Sequence, residues 1–389
     1  MLLVTGGCGF IGSAFVLEWL RQSDEPLLNL DLLTYAGHRA NVRAAEGHAG
    51  YRFVRGDIGD TELVTRLLAE HRPRSIVHFA AESHVDRSIT GPLAFVNTNV
   101  VGTVKLLEAA LGYWNSLPPS EAAAFRFVNV STDEVYGSLG VGDAAFTEEH
   151  RFLPNNPYSA SKAAEDHMVR AWHHTFQLPA LTTHCSNNYG PRQFPEKLIP
   201  VTIDNALNGL PLPVYGDGLQ VRDWLYVNDH CAALRAVLES GTPGETYNIG
   251  GRAERTNLSV VQSICSILDE LRPLEENKEW PEAIVELAAA ADPEEPIALN
   301  YLYADREHAI RLQENANFAL QATGHQETRW TDSHPVRRAA GRAPPVHGRR
   351  IPATGRGPVG RGPDTLGSAR ADPQRSARGN EPGRAEDPW

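Results

Sequence analysis

Short runs of apolar residues alternate with longer stretches whose apolar positions recur every three or four residues, from the start of the chain to about position 185. The runs at 2–5, 27–31, 51–55, 75–79, 125–131 and 180–185 predict strands, most of them apolar on both faces. Helical spacing appears at 12–21, 60–71, 98–114 and 158–174. Strands separated by helices in this rhythm build βαβ units, so the pattern predicts an α/β fold with a doubly wound parallel sheet. After position 188 the texture changes: Pro191, Pro195, Pro200, Pro211 and Pro213 punctuate the chain and strand candidates such as 223–227 are short. Residues 1–188 are read as the sheet domain, with 222–250 returning to it, and 189–320 as a smaller, interleaved substrate-binding domain. Beyond Arg329 no periodicity survives, and no internal repeat is visible.

Composition narrows this picture. A chain of 389 residues, 41% hydrophobic, suits about two domains. It holds no run of 18 apolar residues, so no membrane-spanning helix is expected. The first residues lack the basic and apolar regions of a secretory signal. Cys8, Cys185, Cys231 and Cys265 lie far apart with no CxxC pair, which argues against a disulfide framework or a Cys-rich zinc site. The expected setting is a reducing cytoplasm, with no metal. The formal net charge of −12 is unevenly spread: residues 331–389 carry 11 Arg against 6 acidic residues, with 9 Pro and 9 Gly. So few apolar residues cannot offset chain entropy, and a disordered tail is expected there. It lacks the interleaved aromatics of single-strand binders, so nucleic acid is not an expected partner.

Gly6-Gly7-Cys8-Gly9-Phe10-Ile11-Gly12 follows the first strand candidate and opens a helix. Gly6 permits a tight turn, Gly9 lets the backbone approach a pyrophosphate, and Gly12 lets helix and strand pack closely. The helix N-terminus offers unpaired N–H groups to the phosphates. Asp31, at the end of the next strand, lies where a ribose-binding acid belongs, and a carboxylate there favours NAD over NADP. An ordinary glycine turn with a surface Asp is the plainer reading. Asp57-Ile58 could flank the adenine, or Asp57 could be a turn or cap residue before the helix near 60.

Tyr158-Ser-Ala-Ser-Lys162 places a phenol and an ammonium four residues apart, on one face of a helix. A nearby lysine, helped by a positively charged nicotinamide, lowers a tyrosine's pKa, giving a base that takes a hydroxyl proton while hydride leaves the same carbon. A surface i,i+4 pair would look the same, but lysine occurs only at 105, 162, 197 and 278, against 32 arginines. Asp133 and Glu134, in Ser131-Thr132-Asp133-Glu134-Val135-Tyr136-Gly137, end the strand at 125–131, where ligands of a doubly wound sheet bind. Adjacent carboxylates push one pKa up and allow one acid and one base in a pocket. The alternative is a helix start whose acids complement the dipole.

These motifs, with Leu-Thr-Tyr-Ala-Gly at 33–37, Ala-Ala-Glu-Ser-His-Val-Asp-Arg-Ser at 80–88, Ser-Asn-Asn-Tyr-Gly-Pro at 186–191, Phe-Pro-Glu-Lys-Leu-Ile-Pro at 194–200 and Arg-Asp-Trp-Leu-Tyr-Val at 222–227, resemble the extended short-chain dehydrogenase/reductases. Within them the match over about residues 1–270 is to the nucleotide-sugar 4,6-dehydratases that act on dTDP-glucose. The resemblance implies a Rossmann domain, bound NAD and a lyase reaction giving dTDP-4-keto-6-deoxyglucose, an intermediate of dTDP-rhamnose and other deoxysugar routes. It implies Tyr158 as base at the C4 hydroxyl, Lys162 and Thr132 as its support, Glu134 as base at C5 and protonated Asp133 as acid at the C6 hydroxyl. Implied cofactor contacts are Gly6, Gly9, Phe10, Ile11, Gly12, Asp31, Leu33, Thr34, Asp57, Ile58, Ala80, Ala81, Ser83, Thr98, Tyr158, Lys162 and Asn188. Implied substrate contacts are Ser83, Thr132, Asp133, Glu134, Asn187, Lys197, Leu198, Pro213, Val214, Tyr215, Arg222 and Asn257, with Arg222 the partner of the diphosphate. Leu106, Leu107 and their helix match a dimerisation surface, implying a homodimer. Where the family carries a basic stretch closing over the nucleotide, this chain has only Ala304-Asp305-Arg306-Glu307-His308.

Overall fold

A computed structural model describes residues 1–271 apart from Val141 and Tyr215, so the expectations for 272–320 and for the tail at 331–389 lie outside the described residues. In chain order the strands are β1 (Leu2–Thr5), β2 (Leu27–Asp31), β3 (Tyr51–Arg55), β4 (Ser75–His78), β5 (Arg126–Thr132), β6 (Ala180–Cys185), β7 (Asn187–Tyr189), β8 (Val221–Tyr226), β9 (Thr246–Ile249) and β10 (Glu254–Thr256). The helices are α1 (Phe10–Gln22), α2 (Thr61–His71), α3 (Val85–Thr90), α4 (Pro92–Phe95), α5 (Thr103–Asn115), α6 (Pro119–Ala124), α7 (Pro157–Phe176), α8 (Leu198–Leu207), α9 (Val227–Ser240) and α10 (Asn257–Leu271).

Seven strands in the order β3-β2-β1-β4-β5-β6-β9 form one parallel sheet. Every residue of β1, β2 and β4 is buried, which is why these strands read as largely apolar runs, with Asn29, Ser75 and His78 the buried polar exceptions besides the strand-end Thr5 and Asp31. Phe15, Trp19, Leu234 and Leu238 of α1 and α9 cover one face, and Leu67, Leu68, Leu106, Leu107 and Val169 of α2, α5 and α7 cover the other. Strand order reverses between β1 and β4, and the crevice outside their carboxyl ends is where such a fold binds ligands.

A second, three-stranded sheet runs β10-β8-β7, with Ile199 and Ile203 of α8 and Val261 and Ile264 of α10 packed on Trp224 and Tyr189. Val221–Tyr226 belongs to this small sheet; the chain rejoins the large one through α9 and β9.

Two expectations need correction. Leu106 and Leu107 are fully buried in the core beneath α5, because a helix covering a sheet turns its apolar stripe inward, so these two side chains form no dimer surface. The helix predicted over 98–114 is also not uniform: Val96–Gly102 is a π-helical segment that passes into α5. All four cysteines are free and buried.

Candidate active site

The loop after β1 is held by backbone against backbone. Gly6 has φ +71°, and a Cβ there would lie 2.5 Å from the Ala80 nitrogen. A Cβ on Gly12 would fall on the Gly6 carbonyl oxygen. Gly9 is the N-cap of α1 and no side chain caps that helix, so its first turn faces the crevice with donors to offer an anion. Asp31 accepts the Cys8 N–H at 2.8 Å and the Leu33 N–H at 2.7 Å, and burial pushes it up against those two bonds. Leu33 takes a left-handed φ of +61°, which turns the chain sharply after the acid. Backbone where a side chain would intrude, an uncapped helix start and a fixed carboxylate fit a dinucleotide such as NAD.

The other sequence-predicted cofactor residues are placed unevenly. Phe10 and Ile11 begin α1, Thr34 accepts the Gly37 N–H in a turn, and Ala80 and Ala81 follow β4 at the crevice. Asp57 forms a turn, accepting the Gly59 N–H at 2.7 Å, while Asp60 caps α2; this is the turn alternative for Asp57. The Ile58 side chain is buried in the core. Exposed Ser83 hydrogen-bonds the Tyr35 phenol, and Thr98 is half-buried in the π-helical segment. The Asn188 side chain is occupied by the Ser186 carbonyl and His230 Nδ1.

The reactive groups converge where β5 ends. Asp133–Tyr136 forms one short 3₁₀ turn with both acids in its first turn, the Thr132 hydroxyl accepting the Glu134 N–H at 3.3 Å, so the pair does sit at a helix start, though one of a single turn. Across the crevice Asn156 caps α7 in a capping box with Ser159, and Pro157 opens the helix. That cap sets Tyr158 in the first turn, and the Asn156 amide reaches Glu134 at 3.4 Å. The half-buried Tyr158 hydroxyl is hydrogen-bonded by Thr132 and faces Glu134. Asp133 is pushed up to about 7, by burial first, then by Glu134 and Asp223, with His184 and Arg222 opposing.

The Tyr158 phenol and the Lys162 ammonium each have a nearer neighbour. Burial, then the charge of Glu134, holds the phenol well above its ordinary value. The Lys162 ammonium donates to Glu165 at 2.6 Å and to the Val130 carbonyl at 3.1 Å, so its charge is met by a buried carboxylate.

On the substrate side, three of the motifs close on one another. Tyr35 donates to Glu196 at 3.3 Å, His84 lies 3.2 Å from Glu196, and the Arg87 guanidinium sits 3.8 Å over the Tyr35 ring. Lys197 caps α8 with Leu198 beginning it, and Asn257 begins α10. Asn187 opens β7 and exposed Arg222 lies on β8, close enough to Asp133 to lower it. Pro213 is half-buried and Val214 buried, while Tyr215 lies outside the described residues. Sequence reading missed Asp223, Asn156, His184 and Glu165. Asp223 accepts the Gly251 and Ala253 N–H groups at 2.8 and 2.7 Å, pinning the β9–β10 turn beside the acid pair. Glu165 carried a signal, three residues after Lys162 on the same helix face.

A doubly wound sheet with a dinucleotide cradle at its switch point and a Tyr–Lys pair beside two adjacent acids defines the nucleotide-sugar branch of the extended short-chain dehydrogenase/reductases. A family model described as GDP-mannose 4,6 dehydratase matches residues 3–311. The chain belongs to this 4,6-dehydratase family. It is 62% identical to a dTDP-glucose 4,6-dehydratase of Xanthomonas campestris over 71% of this chain and 78% of that one. Among solved structures it resembles the dTDP-glucose 4,6-dehydratase of Bacillus anthracis in complex with NAD, at 49% identity and TM-score 0.62 over 69% of this chain and 80% of that one. It also resembles the Streptomyces venezuelae enzyme with NAD and TYD bound, at 40% identity and TM-score 0.64 over 74% and 95%.

Proposed function

We propose that this chain is an NAD-dependent lyase that converts dTDP-glucose to dTDP-4-keto-6-deoxyglucose. The observation that carries the reading is the Asp133–Glu134 pair beside Tyr158, one of whose acids holds a proton near neutrality. NAD, when bound against Gly6, Gly9, Gly12 and Asp31, supplies the acceptor and later the donor of a hydride. Tyr158, oriented by Thr132, takes the C4 hydroxyl proton. Glu134, oriented by Asn156, removes the C5 proton that the 4-keto group acidifies. Asp133 gives its proton to the departing C6 hydroxyl, so that water leaves, and Glu134 returns its proton to C5 when C6 takes the hydride back. Arg222, Lys197 and Asn257 are the proposed holders of the nucleotide diphosphate and its base.

The product is read by NMR and by the near-ultraviolet band that 4-keto sugars give in alkali, with UDP- and CDP-glucose as controls. The expected result is the band from dTDP-glucose alone; an enzyme that only epimerises C4 gives none. Because Asp133 must be protonated, turnover is expected to fall as pH rises through about 7, and a rate rising steadily to alkaline pH would remove Asp133 from that role.

A cytoplasmic homodimer is part of the same proposal. Among the described residues no helix is long and apolar enough to cross a membrane. Ile89, Leu93 and Val96 are exposed along α3, α4 and the segment after them, and a second copy of this chain would cover them. Leu93→Glu is expected to convert a dimer to a monomer in light scattering; a wild type that runs as a monomer would refute the assembly.

A further inference from the structure

Glu165 has no part in the reaction as written, yet it is fully buried and accepts from the Lys162 ammonium at 2.6 Å. The Asn129 amide on β5 is the only other side chain that favours the carboxylate by a hydrogen bond, and Oε2 is buried with no partner at full hydrogen-bond geometry among the described residues. A buried carboxylate met by one ammonium and one amide has lone pairs to spare, which a proton on it would use. Burial pushes Glu165 up to about 7 in spite of the lysine, so the proton comes and goes near neutrality.

The surrounding charges leave Lys162 in contention. From β4, His78 approaches Glu165 to 4.0 Å, but burial pulls it down to about 3, and it is bonded to Thr5 and to Thr103 of α5. Asp166, next on α7, is bonded by Asn129 and Ser131 of β5 and by His184 of β6. Cys185 of β6 is pushed up to about 12 and stays a thiol. Glu134 acts on Tyr158 directly, and Asp133 is raised in turn by Glu134 and Asp223. One ammonium in a low-dielectric interior stabilises either of two neighbouring anions, whereas both anions together leave a charge unmatched.

Resting on the function proposed above, we infer that Glu165 is a positioning residue for the first step: it competes with Tyr158 for the Lys162 ammonium. While Glu165 is a carboxylate it keeps the ammonium and Tyr158 stays a phenol. When Glu165 is neutral the ammonium is released to the phenolate, and net charge is conserved. Gln in its place is neutral and keeps the packing.

The test is the ionisation of Tyr158 in the full-length holoenzyme, followed by tyrosinate difference absorbance with Tyr158→Phe as blank, in wild type, Glu165→Gln, Glu165→Ser and Glu165→Asp. The tyrosinate midpoint in both neutral variants is expected about one pH unit below wild type, with Glu165→Asp restoring most of the difference. The reduced-nicotinamide transient on adding dTDP-glucose should be about tenfold faster in the neutral variants at about pH 8, one unit above the point where wild-type Glu165 loses its proton, and equal to wild type at acid pH, with KM unchanged. Equal midpoints in folded wild type and either neutral variant would overturn the inference. The titration needs no sugar nucleotide, so it decides this point even if dTDP-glucose proves not to be the substrate.

Discussion

Asp133→Asn is expected to lower kcat for dehydration by about 10²- to 10⁴-fold, the range that a positioned general acid contributes. Oxidation at C4 uses Tyr158, not Asp133, so the variant should still draw hydride from the sugar and then stall. Its signature is persistent absorbance of reduced nicotinamide with no 4-keto band, whereas a 4-epimerase would keep turning over. Stability moves the other way. Asp133 is raised from an ordinary 3.8 to about 7, so the folded state holds its proton more tightly than the unfolded chain does. That contribution is complete below about 4 and is lost as pH rises through about 7. Asn carries no such charge, so Asp133→Asn should melt above wild type at pH 8 and close to it at pH 4. A variant that loses stability equally at both pH values would show that the carboxylate is not confined.

The same residues show what could be read from the chain alone. β1, β2, β3 and β6 occupy the predicted spans: β1, β2 and β6 are buried along their whole length, the first two mostly apolar, while β3, at the sheet edge, keeps Arg52 and Arg55 exposed among its apolar residues. The glycine loop was legible because backbone contact with Ala80 tolerates no other residue type. Tyr158 and the acid pair were legible from position, at a helix start and a strand end. What could not be read was direction. A period of 3.6 marks Leu106 and Leu107 as one stripe of α5 without saying whether it meets a sheet or a second subunit. The spacing Tyr158-x-x-x-Lys162 likewise states that the two side chains share a helix face, but not that Glu165 lies closer to the ammonium. Asp223 was invisible as a neighbour of Asp133 because β5 and β8, in different sheets, meet only in the folded chain.

Gly12→Ala should cost the protein both its cofactor and part of its fold. The added methyl would fall on the Gly6 carbonyl oxygen, with the Gly7 Cα also 2.9 Å away, and no rotamer change can relieve a clash with backbone. Either α1 retreats from β1 or the loop flattens, and in both cases the uncapped first turn leaves the place where a pyrophosphate would sit. The expected loss is about 3 kcal/mol of stability, the upper end for overpacking, and a fall in NAD affinity of about a hundredfold, equivalent to about 2.8 kcal/mol. Bound nicotinamide released on heating, together with Tm, measures the two effects. Gly112→Ala is the matched control: it lies in α5 with nothing within 4 Å of an added Cβ. There alanine should stabilise by about 0.5–1 kcal/mol, since glycine in a helix carries the larger entropy loss. If Gly12→Ala kept its nicotinamide and its Tm, the close contact of loop and helix would not be what holds the dinucleotide, and the cradle would have to be sought elsewhere along the crevice.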